Sequence, residues 1–168
     1  MIADEVAKWL EEKGITHAFG IIGAGNICLW DAIHRHGKTE IVCCHHEQAA
    51  VMAAAYYYRV SKKLALSLVT TGAGSSNAIT GLLAAQMDSI PTLVVSGNEA
   101  SKYIGRDTRV LGVQGYDSSG LVEPITKDSF RAMYPEDVIP YLETAYRTAL
   151  KPRQGACWLD IPKDIQSA

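Results

Sequence analysis

The sequence lacks the features that mark several classes of protein. It has no run of like charges, and the formal net charge of its 168 residues is −2, so its charge pattern does not indicate binding to nucleic acid or to a membrane surface. No apolar stretch is long enough to cross a bilayer, and residues 1–14 show the polar stripe of a surface helix rather than a signal peptide. We therefore expect a cytoplasmic protein with no nucleic-acid or membrane partner.

Metal-binding patterns are also missing. None of the four cysteines stands in a CxxC pair, and the simplest interpretation is buried thiols in a reducing compartment. The run His45-His46-Glu47 does not form HExxH, because Ala50 stands where the second histidine is required. We predict no metal ligands in this chain and interpret His46 as a packed or hydrogen-bonded core histidine.

The glycine-rich loops do not complete a nucleotide-binding motif. The motif GxGxxG needs a third glycine three residues after the second. After Gly23 and Gly25 that position holds Cys28, and after the glycines at 72 and 74 it holds Asn77. The chain has no GxxxxGK[ST] and no GxSxG. One alternative is that these glycines only allow tight turns between a strand and a helix.

What the sequence does contain is a regular alternation of strand and helix patterns. Strands are predicted at 17–22, 41–44, 64–70, 92–96, within 125–133 and at 156–161, and helices at 1–14, 26–36, 48–60, in a stretch ending near 86, and at 135–150. Residues 97–119 are predicted as a loop, and the tail after Pro162 as a domain edge or linker. The alternation is typical of one α/β domain with a three-layer α/β/α fold around a parallel, six-stranded sheet.

One carboxylate stands out in this pattern. Glu47 lies where a predicted buried strand gives way to a helix of small residues, a position where an unpaired carboxylate is costly to bury. The loops at Gly23, Glu47 and Gly72 each follow a strand, and ligands of parallel sheets bind at the carboxyl ends of strands. We interpret Glu47 as a catalytic group able to share a proton with a ring nitrogen. The alternative is a helix-start carboxylate that only complements the helix dipole.

Six stretches together resemble a known family. They are HAFGIIGAG, HHEQAA, TTGAGSSNAITGL, AQMDSIPTLVVSG, VEPITKDSF and PRQGACWLDIPKDIQ, and they cover nearly the whole chain in the order that the family shows. The chain resembles the N-terminal pyrimidine-binding domain of thiamine-diphosphate-dependent enzymes, in particular the acetolactate synthase-like group.

The resemblance implies a cofactor and roles for individual residues. Glu47 would hydrogen-bond N1′ of the aminopyrimidine of thiamine diphosphate, which promotes removal of the thiazolium C2 proton. Gln114 matches a glutamine that approaches the reaction centre and is the second catalytic candidate. The implied cofactor-binding residues, besides Glu47, are Gly23, Ala24, Gly25, Thr71, Ala73 and Asn77.

Departures from the family concern the substrate more than the cofactor. Ala73 stands where the family has a proline, so the pocket wall is smaller. Val113 replaces an aromatic residue, and Ala24 stands where decarboxylases often carry a polar side chain. The resemblance therefore implies a 2-oxo acid substrate and favours a carboligase, a transferase or lyase, over a simple decarboxylase. A flavin (FAD) is compatible with the resemblance, but no residue here indicates one.

Half of the implied active site is absent from the sequence. The chain has no GDG motif, so the ligands for Mg²⁺ and the diphosphate are expected in a missing domain. In the family this is the diphosphate-binding domain of a second subunit, which implies a homo-oligomer, a dimer or tetramer. We expect residues 1–168 to be one domain of a longer chain and inactive alone. The alternatives are a separately encoded subunit, a non-catalytic or regulatory interaction domain that retains the fold, or a generic nucleotide binder.

Overall fold

The sheet is the centre of the molecule. The computed structural model describes residues 1–104 and 108–168, and contains a six-stranded sheet of parallel strands in the order β2-β1-β3-β4-β6-β5. The strands are β1 His17–Gly20, β2 Glu40–Cys43, β3 Leu66–Val69, β4 Thr92–Asn98, β5 Asp128–Arg131 and β6 Ala156–Pro162. The predicted fold class is therefore confirmed.

Helices cover both faces of the sheet. They are α1 Ile2–Glu12, α2 Ile27–His36, α3 Glu47–Ser61, α4 Ala73–Asn77, α5 Ile79–Met87, α6 Ser118–Val122, α7 Val138–Leu150 and α8 Lys163–Gln166, with 3-10 turns at Ser101–Tyr103, Glu123–Ile125 and Pro135–Asp137. Helices α1, α2 and α7 share one apolar cluster with the sheet, and α5 packs with Val51 of α3 into another. Strands β4 and β6 are buried along their full length, as expected for central parallel strands.

The segment predicted as one loop at 97–119 is more ordered than its sequence indicated. Strand β4 continues through Gly97 and Asn98, which pair with Ile161 and Pro162 of β6. The same segment also contains the 3-10 turn at Ser101–Tyr103 and the start of α6. The prediction was wrong here because the pairing partners come from a distant part of the chain. Residues 105–107 of this predicted loop lie outside the described residues.

The tail after Pro162, predicted as a domain edge or a linker start, packs onto the domain instead of extending away from it as a linker. Residues 163–166 form α8, in which Ile165 and Gln166 are buried. The side-chain amide of Gln166 donates hydrogen bonds of 2.7 Å to the carbonyl oxygens of Gly25 and Ile161. A buried amide normally requires such partners, so α8 is tied to the loop that follows β1.

Two expectations about single side chains were wrong. Cys43 is exposed because it ends β2, which is an edge strand, whereas Cys157 is fully buried in central β6. Cys28 and Cys44 are partly buried. His46 is an exposed residue rather than a core histidine, and its Nδ1 accepts a hydrogen bond from the backbone N–H of Gln48 at 3.2 Å as the N-cap of α3.

The buried thiol gives a pH-dependent prediction. Burial raises the pKa of Cys157 to about 12, so the folded protein holds this proton more tightly than the unfolded chain does. The stabilisation is complete below about pH 9 and is lost as the pH rises towards 12. Over this range the free energy of unfolding should fall by up to about 1.4 kcal/mol per pH unit more steeply than in Cys157→Ala. Chemical denaturation measures both slopes, and equal slopes would contradict the prediction; Cys43→Ser is the control.

None of the helices in residues 1–104 and 108–168 is both long and apolar enough to span a bilayer.

Candidate active site

Three loops meet at the carboxyl end of the sheet. Strands β1 and β3 are neighbours, but the chain leaves β1 for β2 on one side and β3 for β4 on the other. Ligands of open α/β sheets bind at such a switch point. The backbone N–H of Gly25, after β1, donates a 3.1 Å hydrogen bond to Oγ1 of Thr70, after β3. The loops after β1 and β3 therefore converge, as the sequence predicted.

Glu47 is a buried carboxylate with one hydrogen bond. It begins α3, directly after the loop that follows β2, and its exposed fraction is 7%. Nδ2 of Asn77, at the end of α4, donates to Glu47 Oε2 at 3.1 Å. Within residues 1–104 and 108–168, the hydrogen bond from Asn77 is the only hydrogen bond or ion pair of this carboxylate, so Oε1 has no donor. Because burial without pairing is unfavourable, the free oxygen is suited to a ligand that carries a donor.

The helix-dipole alternative accounts for part of this geometry. Glu47 lies in the first turn of α3, where a negative charge is favourable. An exposed carboxylate would gain the same effect without the penalty of burial. The hydrogen bond from Asn77 also comes from a different helix, so it fixes the side chain relative to α4.

Glycines line the space next to this carboxylate because side chains would collide there. A Cβ on Gly74 would lie 3.2 Å from Glu47 Oε1 and 2.6 Å from Thr70 Cγ2. A Cβ on Gly23 would lie 2.5 Å from Thr70 Oγ1. The tight-turn explanation applies to Gly72, whose φ is +69°.

Thr71 adds a polar group without a partner. Its Oγ1 is buried and has no hydrogen-bond partner, and a Cβ on Gly25 would lie only 1.9 Å from it. Ala24 is exposed on the loop after β1, and Ala73 is exposed at the start of α4. The site thus offers one free carboxylate oxygen beside glycine-rich loops, while the Thr71 hydroxyl lies buried against Gly25.

Gln114 lies against the neighbouring turn rather than against Glu47. It is exposed in a short turn in which Leu111 and Gly115 exchange backbone hydrogen bonds of 2.8 Å. A Cβ on Gly72 would lie 2.8 Å from the carbonyl oxygen of Gln114 and 3.2 Å from its Cγ. Val113, beside it, is 84% exposed. The structure therefore brings Gln114 to the edge of the site.

Sequence reasoning missed three residues that shape the site. Thr70 accepts the hydrogen bond from Gly25, Gln166 donates to the carbonyl of Gly25, and a Cβ on Gly97 would lie 1.9 Å from that same carbonyl oxygen. Thr70 could have been predicted as a site residue, because it stands directly before Thr71 at the start of the glycine-rich loop after β3. Gln166 gives no local signal, because its partner is 141 residues away.

The part of the chain that the structure describes contains no group of three or more His, Cys, Asp or Glu residues placed to hold a metal ion.

Comparison with known proteins decides the family. A sequence model described as "Thiamine pyrophosphate enzyme, N-terminal TPP binding domain" matches residues 1–123. The chain belongs to this family. Relatives of this thiamine pyrophosphate (TPP) domain include the acetolactate synthase large subunit of Buchnera aphidicola subsp. Schizaphis graminum (strain Sg), 40% identical over 163 residues. The acetolactate synthase isozyme 3 large subunit of Escherichia coli (strain K12) is 38% identical over 163 residues.

The TPP domain corresponds to only part of these relatives. The two alignments cover 97% of this chain and 28% of each relative. The acetolactate synthase of Mycobacterium bovis (strain ATCC BAA-935 / AF2122/97) is 36% identical over 163 residues, which are 97% of this chain and 26% of that protein. The chain therefore spans little more than a quarter of the length of the relatives it matches, and the resemblance drawn from its sequence is confirmed.

Proposed function

We propose that this TPP domain is the pyrimidine-binding half-site of a thiamine-diphosphate-dependent 2-oxo acid carboligase or decarboxylase of the acetolactate synthase type. The observation that carries the proposal is Glu47, a buried carboxylate with one oxygen fixed by Asn77 and the other without a donor. The names of the relatives support the reaction class.

Residues of this chain would hold one end of the cofactor. Glu47 would share a proton with N1′ of the aminopyrimidine through a hydrogen bond, and Thr71, Ala73 and Asn77 would border that ring. Gly23, Ala24 and Gly25 would border the thiazolium ring and the substrate. When bound, thiamine diphosphate supplies the nucleophilic carbon and the electron sink that decarboxylation of a 2-oxo acid requires.

The proposed role of Glu47 is to share a proton with a ring nitrogen of the cofactor. Asn77 occupies Oε2 and leaves Oε1 free to share a proton with a ring nitrogen in a charge-assisted hydrogen bond. Burial of the pair strengthens this bond relative to one in water. General acid–base catalysis of this kind contributes about 10²- to 10⁴-fold in rate.

The other half of the site would come from a second domain. We infer that residues 1–168 are part of a longer cytoplasmic chain that forms dimers or tetramers, and that the diphosphate and Mg²⁺ bind to the diphosphate-binding domain of a second subunit. The TPP domain alone would then lack turnover.

Calorimetry on the full-length protein and on residues 1–168 tests this proposal. The full-length protein should bind thiamine diphosphate in an Mg²⁺-dependent manner. The short chain should bind at least about 100-fold more weakly, because two or more charge-assisted contacts of about 1.5–3 kcal/mol each are missing.

The outcomes separate the alternatives. Tight, Mg²⁺-dependent binding to residues 1–168 would contradict the half-site. If the full-length protein does not bind thiamine diphosphate, the result favours a non-catalytic interaction domain. If it binds Mg²⁺–ATP instead, the result favours a nucleotide-binding domain. Circular dichroism of residues 1–168 controls for folding.

A further inference from the structure

A second buried carboxylate lies outside the proposed chemistry. Asp160, near the end of β6, is fully buried. Its Oδ2 accepts hydrogen bonds from Nδ2 of Asn98 at 2.7 Å and from Nε of Arg131 at 3.2 Å, and the Ser118 hydroxyl lies close enough to favour its charged form. Burial raises the pKa of Asp160, and the hydrogen bond from Asn98 and the charge of Arg131 oppose that rise. Such a group is costly to keep, because an apolar residue would often serve stability as well.

Both partners of Asp160 also bind the loop that carries Gln114. The amide of Asn98 uses its second proton to donate to the carbonyl oxygen of Tyr116 at 3.1 Å. The guanidinium of Arg131 donates through Nη2 to Oδ1 of Asp117. Tyr116 is therefore bonded to Asn98 of β4, and Asp117 to Arg131 of β5. Both of these partners are in turn bonded to Asp160 of β6.

The same loop reaches α4 from its other side. The Tyr116 hydroxyl lies 2.9 Å from Oγ of Ser75, and Ser75 Oγ lies 2.9 Å from the carbonyl oxygen of Gly72. Oγ of Ser75 therefore links the Tyr116 hydroxyl to the carbonyl oxygen of Gly72.

The side chain of Glu99 makes a third contact with the turn at 111–115. Glu99, which is 7% exposed, is paired with Lys163 at 2.7 Å. A Cβ on Gly112 or Gly115 would lie 2.8 Å from the Glu99 side chain, so the turn rests on it. The turn that carries Gln114 consequently lies between Gly72 and the buried Glu99 side chain.

We propose that Asp160 is a positioning residue for Gln114. Its carboxylate orients Asn98 and Arg131, which fix Tyr116 and Asp117 and thereby place the turn at 111–115 against Gly72. The kinetic part of this proposal rests on the proposed function of Gln114, whereas the anchoring of the loop does not.

Amide hydrogen exchange of the full-length protein tests the anchoring. Asp160→Asn keeps the size of the side chain and removes its charge. We expect exchange at the N–H groups of Leu111 and Gly115, which bond each other across the turn, to become at least tenfold faster, with β3 and β4 unchanged. Asp31→Asn, which breaks the exposed pair of Asp31 with Arg35, is the control and should change neither.

Unchanged exchange in the turn, or an equal rise throughout the sheet, would overturn the proposal. If Asp160→Asn does not fold, Arg131→Lys serves the same test, because lysine keeps the charge but lacks the planar fork that binds Asp117 and Asp160 together.

Steady-state kinetics with a 2-oxo acid test the transmission to Gln114. If Asp160 acts through Gln114, the double variant Asp160→Asn/Gln114→Ala should lose no more kcat/KM than Gln114→Ala alone. Losses that multiply, as for two independent defects, would overturn the proposal. A fully active Gln114→Ala protein would instead contradict the proposed role of Gln114, and amide exchange would then decide the anchoring by itself.

Discussion

Glu47→Gln is expected to lower kcat of the full-length protein by about 10²- to 10⁴-fold, the range of general acid–base catalysis. Glutamine has the same size, and its carbonyl oxygen can still accept the hydrogen bond from Asn77, but it cannot take up a proton. Stability should be equal or higher, because the substitution removes a buried charge that no described cation balances. Steady-state kinetics and thermal unfolding of the same preparation measure both effects.

The matched control is Glu40→Gln. Glu40 begins β2, the strand that precedes Glu47, and its side chain is 71% exposed beside His17. This variant should keep wild-type kcat, because exposed ion pairs contribute little. A loss of less than tenfold in Glu47→Gln, or an equal loss in both variants, would refute the catalytic role of Glu47.

Gly97→Ala is expected to lower the melting temperature by at least as much as the most destabilising of the usual substitutions that add atoms to a packed interior. The new Cβ would lie 1.9 Å from the carbonyl oxygen of Gly25 and 2.3 Å from its carbonyl carbon. Neither backbone can move freely, because Gly97 pairs with Ile161 in the sheet and the Gly25 carbonyl accepts a hydrogen bond from Gln166. We expect at least the upper end of the usual range of about 1–3 kcal/mol.

Thermal unfolding measures this effect, and Gly37→Ala is its control. A loss of about 3 kcal/mol corresponds to a decrease of roughly 6–12 °C for a domain of this size. Gly37 has a φ of +69° but its nearest neighbour would be 3.8 Å from a new Cβ, so its substitution measures backbone strain alone, about 1–2 kcal/mol. If the Gly97→Ala protein is no less stable than the Gly37→Ala protein, stability does not depend on the close approach of β4 to the Gly25 loop, and the prediction is contradicted.

The fold could be predicted from the sequence because strand and helix patterns alternate along nearly the whole chain. Local patterns could not show that β4 extends to Asn98, since that extension depends on pairing with β6. They also could not show that Cys43 lies on an edge strand, since strand order is a property of the whole sheet. The same limit applies to Gln166, whose buried amide bonds to a loop near the other end of the chain.

The candidate site could be predicted in part. Glu47 was indicated by its position between a strand and a helix, and the glycine-rich loops by their position after strands, whereas the cofactor-binding roles of their residues came from the family resemblance. The hydrogen bond from Asn77 and the contacts of Thr70 with the Gly23 and Gly25 loop required the structure, because each joins different elements. The role of Gln114 came from the family resemblance alone and stays a prediction.

The most direct test of the role of Glu47 is the exchange rate of the C2 proton of bound thiamine diphosphate. It can be measured by proton NMR after rapid quenching of the full-length Glu47→Gln protein in D₂O, at a saturating concentration of cofactor and Mg²⁺. If Glu47 activates the cofactor, exchange in this variant should be at least about 100-fold slower than in the wild type. Exchange at the wild-type rate would contradict the activating role of Glu47.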